Sequence, residues 1–538
     1  MANIFSKTKG NMQYLFKSKD TLSKKERRRK RRAWATLIGL IIVCIQIVLS
    51  VLFLLKVFKL DILPMKYLIM LNIVLVLLFL YDFTSQFTRA HIFGKVISVV
   101  LSGVILFTYL FAAKLDAVFT KLEEPDVNVD IVDVCVLAND RASTINDLTN
   151  YSFAYNSSSS NGNVLLAFDD IKNDTGKKIT PTEYTTWSEL IDAFYANRTV
   201  QAIVINDSMR NIISQEYEDF EDEIKIIKSY QYKELVNVDK SNVNVKKDPF
   251  VIYVSGISSE DGADTKLSSY ALSDVNILAV INPNTKQVLL VTTPRDSYIK
   301  ISNNNGATGY DKLTHAGLYG IERSIEALEN LYGVNIDYYV KINFSGCEAV
   351  VDALDGITID SEVEFTNGQD AAPIAYHFVK GLNECDGAKT VAFTRERHAF
   401  LSGDFQRGRN QTAAIKAIIN KATSPAILTK YSAVLDAVSD MFLTNIPNSA
   451  ITDLVKAQIN DPTAWNVQTY GITGDTSGKK GEHLEVTNLY NASVVYPYKD
   501  DINTAIKLMS KIANGDVFDV DEYIESLEDE SVTSTTNR

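Results

Sequence analysis

The chain is poor in cysteine, and the few it has are badly spaced for metal chemistry. Cys44, Cys135, Cys347 and Cys385 form no Cys-x-x-Cys pair and no zinc spacing, which argues against a metal–thiolate centre. Cys44 sits in an apolar run; Cys347 and Cys385 either pair in an oxidising exterior or remain free thiols. Positive charge is outweighed by acid over most of the chain. The formal net charge is −12, yet residues 1–32 hold twelve Lys/Arg against Asp20 and Glu26, a local +10 that leaves −22 on the remainder. So acidic a body is unsuited to broad nucleic-acid binding, and none is expected. Wholesale disorder is excluded by 46% hydrophobic and 22% charged residues, and 538 residues suffice for two or three domains at ~150 residues each. No small-residue cleavage signature follows the first apolar segment, so it reads as an anchor rather than a removed signal peptide.

That anchor follows the basic tail 1–32, which ends in KKERRRKRR. Three apolar segments lie within 33–113: Ala33–Leu55, Met65–Tyr81 and Ile92–Ala113. The first and third are long enough for a hydrocarbon core of ~30 Å, the second only just. A basic run directly before a span stays in the cytoplasm. Three spans then place everything after about Lys114 outside, giving a multi-pass cell-membrane protein with an extracellular body. The competing reading of the run, a nucleic-acid arm, is weakened by its position against a span.

After a connector with Pro125, residues 129–240 read as a small α/β accessory domain. Its strand-like runs are VDIVDVCVLA, NVLLAF, VQAIVI and EIKIIKSYQY; WSELIDAFYAN and MRNIISQEY read as helices. Ser157–Asn163 is a loop, and Asp169, Asp170 and Asp174 read as solvated acids rather than a metal loop. No catalytic constellation falls there. A linker, Val236–Asp248, leads to the main domain, 249–515. Its pattern predicts a mixed, largely antiparallel central sheet flanked by helices, with NPNTK as a hairpin turn. Ser345 and Glu348 read as a capping box, ITIDSEVEF as a strand, and YSAVLDAVSDMF and DINTAIKLMSKI as amphipathic helices. The tail 522–538 is acidic, Ser/Thr-rich and expected to be disordered. The fold class is thus N-terminal transmembrane helices plus α/β.

Against the acidic background stands Val391–Gln411, which holds Arg395, Arg397, Arg407 and Arg409 beside Glu396, His398, Asp404 and Gln411. Arg395 and Arg397 point the same way on an extended segment. Arg407 and Gln411, four apart, share one face of a helix that should begin near Asp404, a good N-cap residue. Guanidinium forks at a helix N-terminus favour phosphate or pyrophosphate. The plain alternative is a solvated, salt-bridged charge run. Asp274 at a strand entrance and Arg295 after Pro294 complete what a Mg²⁺–pyrophosphate site needs: a carboxylate for a hard cation and arginines for the remaining charge.

The ordered motifs SDVNILAVINPNTKQVLLVTTPRDSYI, DKLTHAGLYG, YYVKINFSGCEAVVDALDGITI and AFTRERHAF…GDFQRGRNQ resemble the LytR–CpsA–Psr family of Gram-positive cell-envelope proteins. The three-span anchor and accessory domain look like its CpsA-type branch. The resemblance implies a Mg²⁺-dependent phosphotransferase (Mn²⁺ being the alternative metal) whose catalytic domain is 249–515. Such an enzyme moves a glycan phosphate from an undecaprenyl-pyrophosphate carrier onto the C6 hydroxyl of N-acetylmuramic acid in peptidoglycan. The glycan would be wall teichoic acid, capsule or another polysaccharide. Carried over, Arg295, Arg395, Arg397, Arg407 and Gln411 match pyrophosphate-binding positions, and Asp274 a Mg²⁺ ligand. Asp404 matches an aspartate that either orients an arginine or acts as base. Lys312 and His315 lie in a recurring motif, His315 being either a general base or a structural hydrogen-bonding group. Two departures stand out: Ser258 replaces the family's second metal-binding aspartate, with Glu260, Asp261 and Asp264 as alternative ligands, and Leu272 replaces an arginine. A second reading from another class is a protein that binds the lipid-linked glycan and regulates. The apolar faces around Ile325, Val351 and Ile418 are core or, by the resemblance, part of a polyprenyl tunnel.

Overall fold

The computed structural model describes residues 10–527 apart from 19, 21, 123–125, 161, 197–198, 218, 239–240, 259–265, 426–433, 435–440 and 477–479. It divides into two compact units, residues 1–121 with 448–461, and the rest.

The first unit contains α1 (Lys24–Leu60), α2 (Met65–Ser85) and α3 (His91–Leu122), with the helix Asn448–Asn460. All three numbered helices are long and apolar enough to cross a membrane. A capping box starts α1: the Ser23 side chain accepts from Glu26 N–H, and the Glu26 carboxylate from Ser23 N–H. Large apolar residues such as Ile38, Leu77 and Phe107 face outward, whereas Gln46 and Ser98 are buried and bonded to each other. That inversion suits a lipid surround with polar groups paired between helices.

The second unit carries two large sheets, of five and six strands, besides several two-stranded ones. The accessory sheet comprises β1 (Val127–Leu137), β2 (Phe153–Asn156), β3 (Thr182–Tyr184), β4 (Ala202–Asn206) and β5 (Ile224–Leu235), in the order β3-β2-β4-β1-β5. Helices α4 (Asn163–Thr175), α5 (Trp187–Tyr195) and α6 (Asp207–Glu216) connect its strands. NVLLAF, expected as a strand, lies in α4, where Val164, Ala167, Phe168 and Ile171 make one buried helical stripe. Its apolar run is too short for periodicity to separate strand from helix. Asp170 and Asp174 accept hydrogen bonds from Tyr232 and Tyr230, 2.7 and 2.8 Å away.

The central sheet contains β6 (Phe250–Ser258), β7 (Leu272–Asn282) and β8 (Gln287–Thr292), antiparallel to one another. The strands β9 (Tyr298–Ser302) and β10 (Thr308–Lys312) form a separate hairpin. After α7 (Ile321–Tyr332), β11 (Tyr338–Ile342) joins β6 in parallel. The helices α8 (Phe344–Ala353), α9 (Gly387–Arg395) and α10 (Asp404–Ala422) follow, and the strand Asn466–Gly471 pairs in parallel with β8 before α11 (Lys499–Asn514). Strand Phe442–Thr444 closes the other edge of this six-stranded mixed sheet, antiparallel to β11.

Strands β7 and β8 are buried on both faces, which explains their nearly continuous apolar runs. One face packs Leu278, Val280, Leu289 and Val291 with Ile325 and Leu328 of α7 and Leu508 of α11. The other packs Ile277, Val288 and Leu290 with Ile415 and Ile419 of α10. Val351 and Ile418 share a third cluster with Phe365, Phe378 and Phe393.

Three local expectations change, and one open alternative is decided. Asn343, not Ser345, caps α8, its side chain accepting from Gly346 N–H at 2.9 Å. ITIDSEVEF forms a strand only over Ile357–Ser361, with a break before Phe365–Thr366. The tail expected to be disordered is helical over residues 520–527, where buried Val520 anchors Tyr523 and Ile524 against the core. Its remaining residues, 528–538, lie outside those described, as does nearly all of YSAVLDAVSDMF. Cys347 and Cys385 are free thiols.

Candidate active site

A bulge aims the first site residue. Register between β6 and β7 shifts at Gly256/Ile257, where Gly256 faces Val275 and Ile257 faces Ser273. Asp274 is the extra residue, so its carboxylate leaves the regular alternation and lines a cavity of about 550 Å³. A Cβ on Gly256 would meet Val275 Cγ2 at 2.5 Å, so the close approach requires glycine.

Around Asp274 the charges interlock. Its Oδ1 accepts from Arg295 Nη1 at 2.9 Å, and its Oδ2 from the Ser258 hydroxyl. Arg295 Nε lies 3.5 Å from Asp404 Oδ2 and 3.6 Å from Asp296 Oδ2. Arg407 Nη2 approaches Asp404 Oδ1 at 3.4 Å, and Lys312 Nζ lies 3.1 Å from Asp296. Three carboxylates thus balance three cations. Burial pushes the Asp274 carboxyl up, but Arg295 and Arg407 outweigh it and hold the group below the usual carboxylate range. Asp296 is likewise held low against burial by Lys312 and Arg295.

The opposite wall differs. Helix α9 ends at Arg395, Glu396 is extended, and both Arg395 and Arg397 line the cavity. The guanidinium of Arg395 sits 4.5 Å from the centre of the Phe344 ring. Arg397 Nε lies 3.2 Å from His398 Nε2. Neither arginine has a carboxylate partner among the described residues. Between them Glu396 turns inward, accepting from Gly368 N–H at 2.5 Å and Ala399 N–H at 2.8 Å, which fixes the loops on either side.

Helix α10 begins at Asp404 with Gly403, not Asp404, at the N-cap; Gly403 has φ +51°, a conformation that favours glycine. Arg407 and Gln411 line the cavity from this helix, and Gln411 Nε2 donates to Thr394 O at 3.4 Å. Arg409 faces away, bonded to Glu362 at 2.8 Å. The structure therefore brings Asp274, Arg295, Arg395, Arg397, Arg407 and Gln411 to one cavity, with Asp404 behind two of the arginines. His315 does not reach it: fully buried, its Nδ1 lies 2.7 Å from Asp311 Oδ1, the structural alternative. Sequence reasoning missed Asp296 as the partner of Lys312 and Arg295, although it adjoins Arg295 in Pro-Arg-Asp. It also missed Phe344, which carries no signal in sequence of a cation above its ring.

A match to the LytR_cpsA_psr family model spans residues 217–505, more than half of the chain. The protein belongs to the LytR–CpsA–Psr family. Among its relatives, the polyisoprenyl-teichoic acid–peptidoglycan teichoic acid transferase TagU of Bacillus anthracis is 32% identical over 224 residues, covering 40% of this chain and 69% of TagU. TagU of Bacillus subtilis is 32% identical over 210 residues, 39% of this chain and 64% of that one. Solved structures to which the chain is similar include the crystal structure of Bacillus subtilis TagU, with 26% identity and a TM-score of 0.36, covering 49% of this chain and 96% of that one. Another is TagT bound to LIIa-WTA, with 24% identity and a TM-score of 0.38 over 51% and 94% of the two chains.

The donors near Asp274 fit a hard divalent cation by type, since the Asp274 carboxylate, the Ser258 hydroxyl and Asp404 are all oxygen ligands. Asp404 Oδ1 is buried and receives no hydrogen bond. No cluster of three His, Cys, Asp or Glu stands ready for a metal among the described residues, and Glu260, Asp261 and Asp264 lie outside them. A cation here would take its other ligands from phosphate and water.

Proposed function

We propose that this protein transfers a phosphate-linked glycopolymer from an undecaprenyl-pyrophosphate carrier to the muramic acid C6 hydroxyl of peptidoglycan. The observation that carries this reading is the pair Arg395 and Arg397, free of carboxylates among the described residues and facing the balanced network around Asp274. The relatives named as teichoic acid transferases support the same class of reaction. The basic run before α1 supports a cytoplasmic N-terminus and a catalytic domain outside the cell.

In this mechanism Arg395 and Arg397 take the pyrophosphate, and Arg295 and Arg407 face it from the other wall. The acceptor hydroxyl attacks the phosphorus next to the glycan, and the bond from that phosphorus to the bridging oxygen breaks. Lipid monophosphate departs, and the hydroxyl proton is released with it. Positive charge on both sides stabilises the leaving phosphate as its charge grows. Asp404, engaged by Arg295 and Arg407, orients those arginines rather than serving as base. Mg²⁺, or Mn²⁺, would be held by Asp274 with Ser258 and Asp404, and would neutralise phosphate charge.

The test is incubation of the full chain with lipid-pyrophosphate glycan, peptidoglycan and Mg²⁺, following lipid monophosphate release. Arg395→Ala or Arg397→Ala should abolish release while the protein stays folded; undiminished release in both would overturn the reading. Ser258 at the family's aspartate position favours one alternative, a protein that binds the lipid-linked glycan and regulates. Tight binding without any product would favour it.

A further inference from the structure

The family match begins at residue 217, so strands β1 to β4 lie outside it. Those strands and their helices nevertheless touch the main domain: Val129 N–H of β1 donates to Ser268 O at 2.6 Å, and a second set of contacts comes from α5 and the loop after β2. Trp187 of α5, fully buried, donates its indole N–H to Thr487 O at 3.0 Å. Asn488 Nδ2 donates to Thr185 O beside it. On the other side the loop after β2 offers carbonyls: Ser158 O accepts from Asn303, Ser159 O from the Tyr319 hydroxyl at 3.2 Å, and Ser160 O from Asn305.

The bonds of this second set converge on the β9–β10 hairpin and the turn after it. Thr487 is the direct clamp: its N–H and its hydroxyl each donate to Asp311 Oδ2 at 2.8 Å. The other oxygen of Asp311 takes His315 Nδ1 and Lys312 N–H, both at 2.7 Å. The same turn then grips the segment bearing Arg295. Thr314 N–H donates to Arg295 O at 2.8 Å, Leu313 N–H to Ser297 O at 3.0 Å, and Lys312 Nζ reaches Asp296 at 3.1 Å.

We propose that the accessory domain braces the Arg295 segment, with Trp187, Tyr319 and Asp311 acting as positioning residues for phosphate transfer. A buried, fully engaged aspartate holds its partners tightly, because leaving any of them unmet is costly. The accessory domain thereby contributes to catalysis without touching substrate. This inference rests on the phosphate-site reading, since only there does the position of Arg295 matter.

The test uses the full chain in detergent with farnesyl pyrophosphate as probe. Trp187→Phe keeps an aromatic ring, though a smaller one, and removes the indole donor. Amide exchange at Leu313 and Thr314 should rise roughly fivefold, the factor for one lost hydrogen bond, and probe affinity should fall by about the same factor. In an Arg295→Lys background the variant should cause no further loss of affinity. Unchanged exchange at Leu313 and Thr314 would overturn the brace. So would an equal loss of affinity in the Arg295→Lys background, which marks a general structural effect. Should Trp187→Phe lose protection at Val132 and Val134, Tyr319→Phe replaces it with the same expectations. A wild-type chain that fails to bind the probe counts against the phosphate-site reading, while the exchange measurement still decides the brace.

Discussion

The two walls of the cavity hold arginines in opposite circumstances. Arg295 and Arg407 are caged: Asp274, Asp296 and Asp404 surround them at 2.9–3.6 Å. Arg395 and Arg397 meet an aromatic ring and an imidazole instead. A caged arginine is held in place before any ligand arrives and carries little net charge to attract one. An uncaged arginine supplies the attraction. In the proposed reaction the two walls together would form an anion site both preorganised and electropositive on one side, suited to a pyrophosphate whose charge shifts during reaction.

Breaking the cage should have the largest effect. Arg295→Ala leaves three part-buried carboxylates without their shared partner and should cost about 3 kcal/mol in the second unit. Thermal melting followed by near-ultraviolet circular dichroism would register it, and transfer should fall with it. Stripping one open arginine comes next: Arg395→Ala should weaken pyrophosphate-lipid binding roughly tenfold or more with melting unchanged, because a charge-assisted bond to ligand is lost and no internal pair is broken. Equal destabilisation by the two substitutions would erase the distinction between the walls.

Acid should loosen the cage. Asp274 and Asp296 are held below the ordinary carboxylate range by their cations. Their stabilising contribution is therefore fully present above the unfolded value of ~3.9 and is lost as pH falls through the folded values. Asp274→Asn should flatten the drop in melting temperature below about pH 4. The smallest effect belongs to Arg409→Ala. Its guanidinium pairs with Glu362 rather than lining the cavity, so transfer should change less than about twofold.

Much of this was legible before the fold was known. The spacing of Arg407 and Gln411 placed both on one helical face, and the ordered motifs tied Asp274 and Arg295 to them. The start of α10 near Asp404 followed from helix capping rules, although Gly403 supplies the cap through its φ of +51°. Other features depend on tertiary partners. The bulge that turns Asp274 into the cavity is set by pairing between β6 and β7, which a single strand does not record. Arg409 sits among the same charges as Arg407, and only the direction of α10 separates their roles. NVLLAF became a helix because its buried stripe packs on the accessory sheet; a run of five apolar residues after Asn163 carries no period long enough to decide.

The central claim is that Arg395 and Arg397 are the anion-receiving groups. Isothermal titration of farnesyl pyrophosphate, with Mg²⁺ present, into the wild type and into the Arg395→Ala/Arg397→Ala double variant tests it most directly. The expected result is measurable binding to the wild type and a loss of roughly a hundredfold or more in the double variant at unchanged melting temperature. Equal affinities in the two proteins would contradict it.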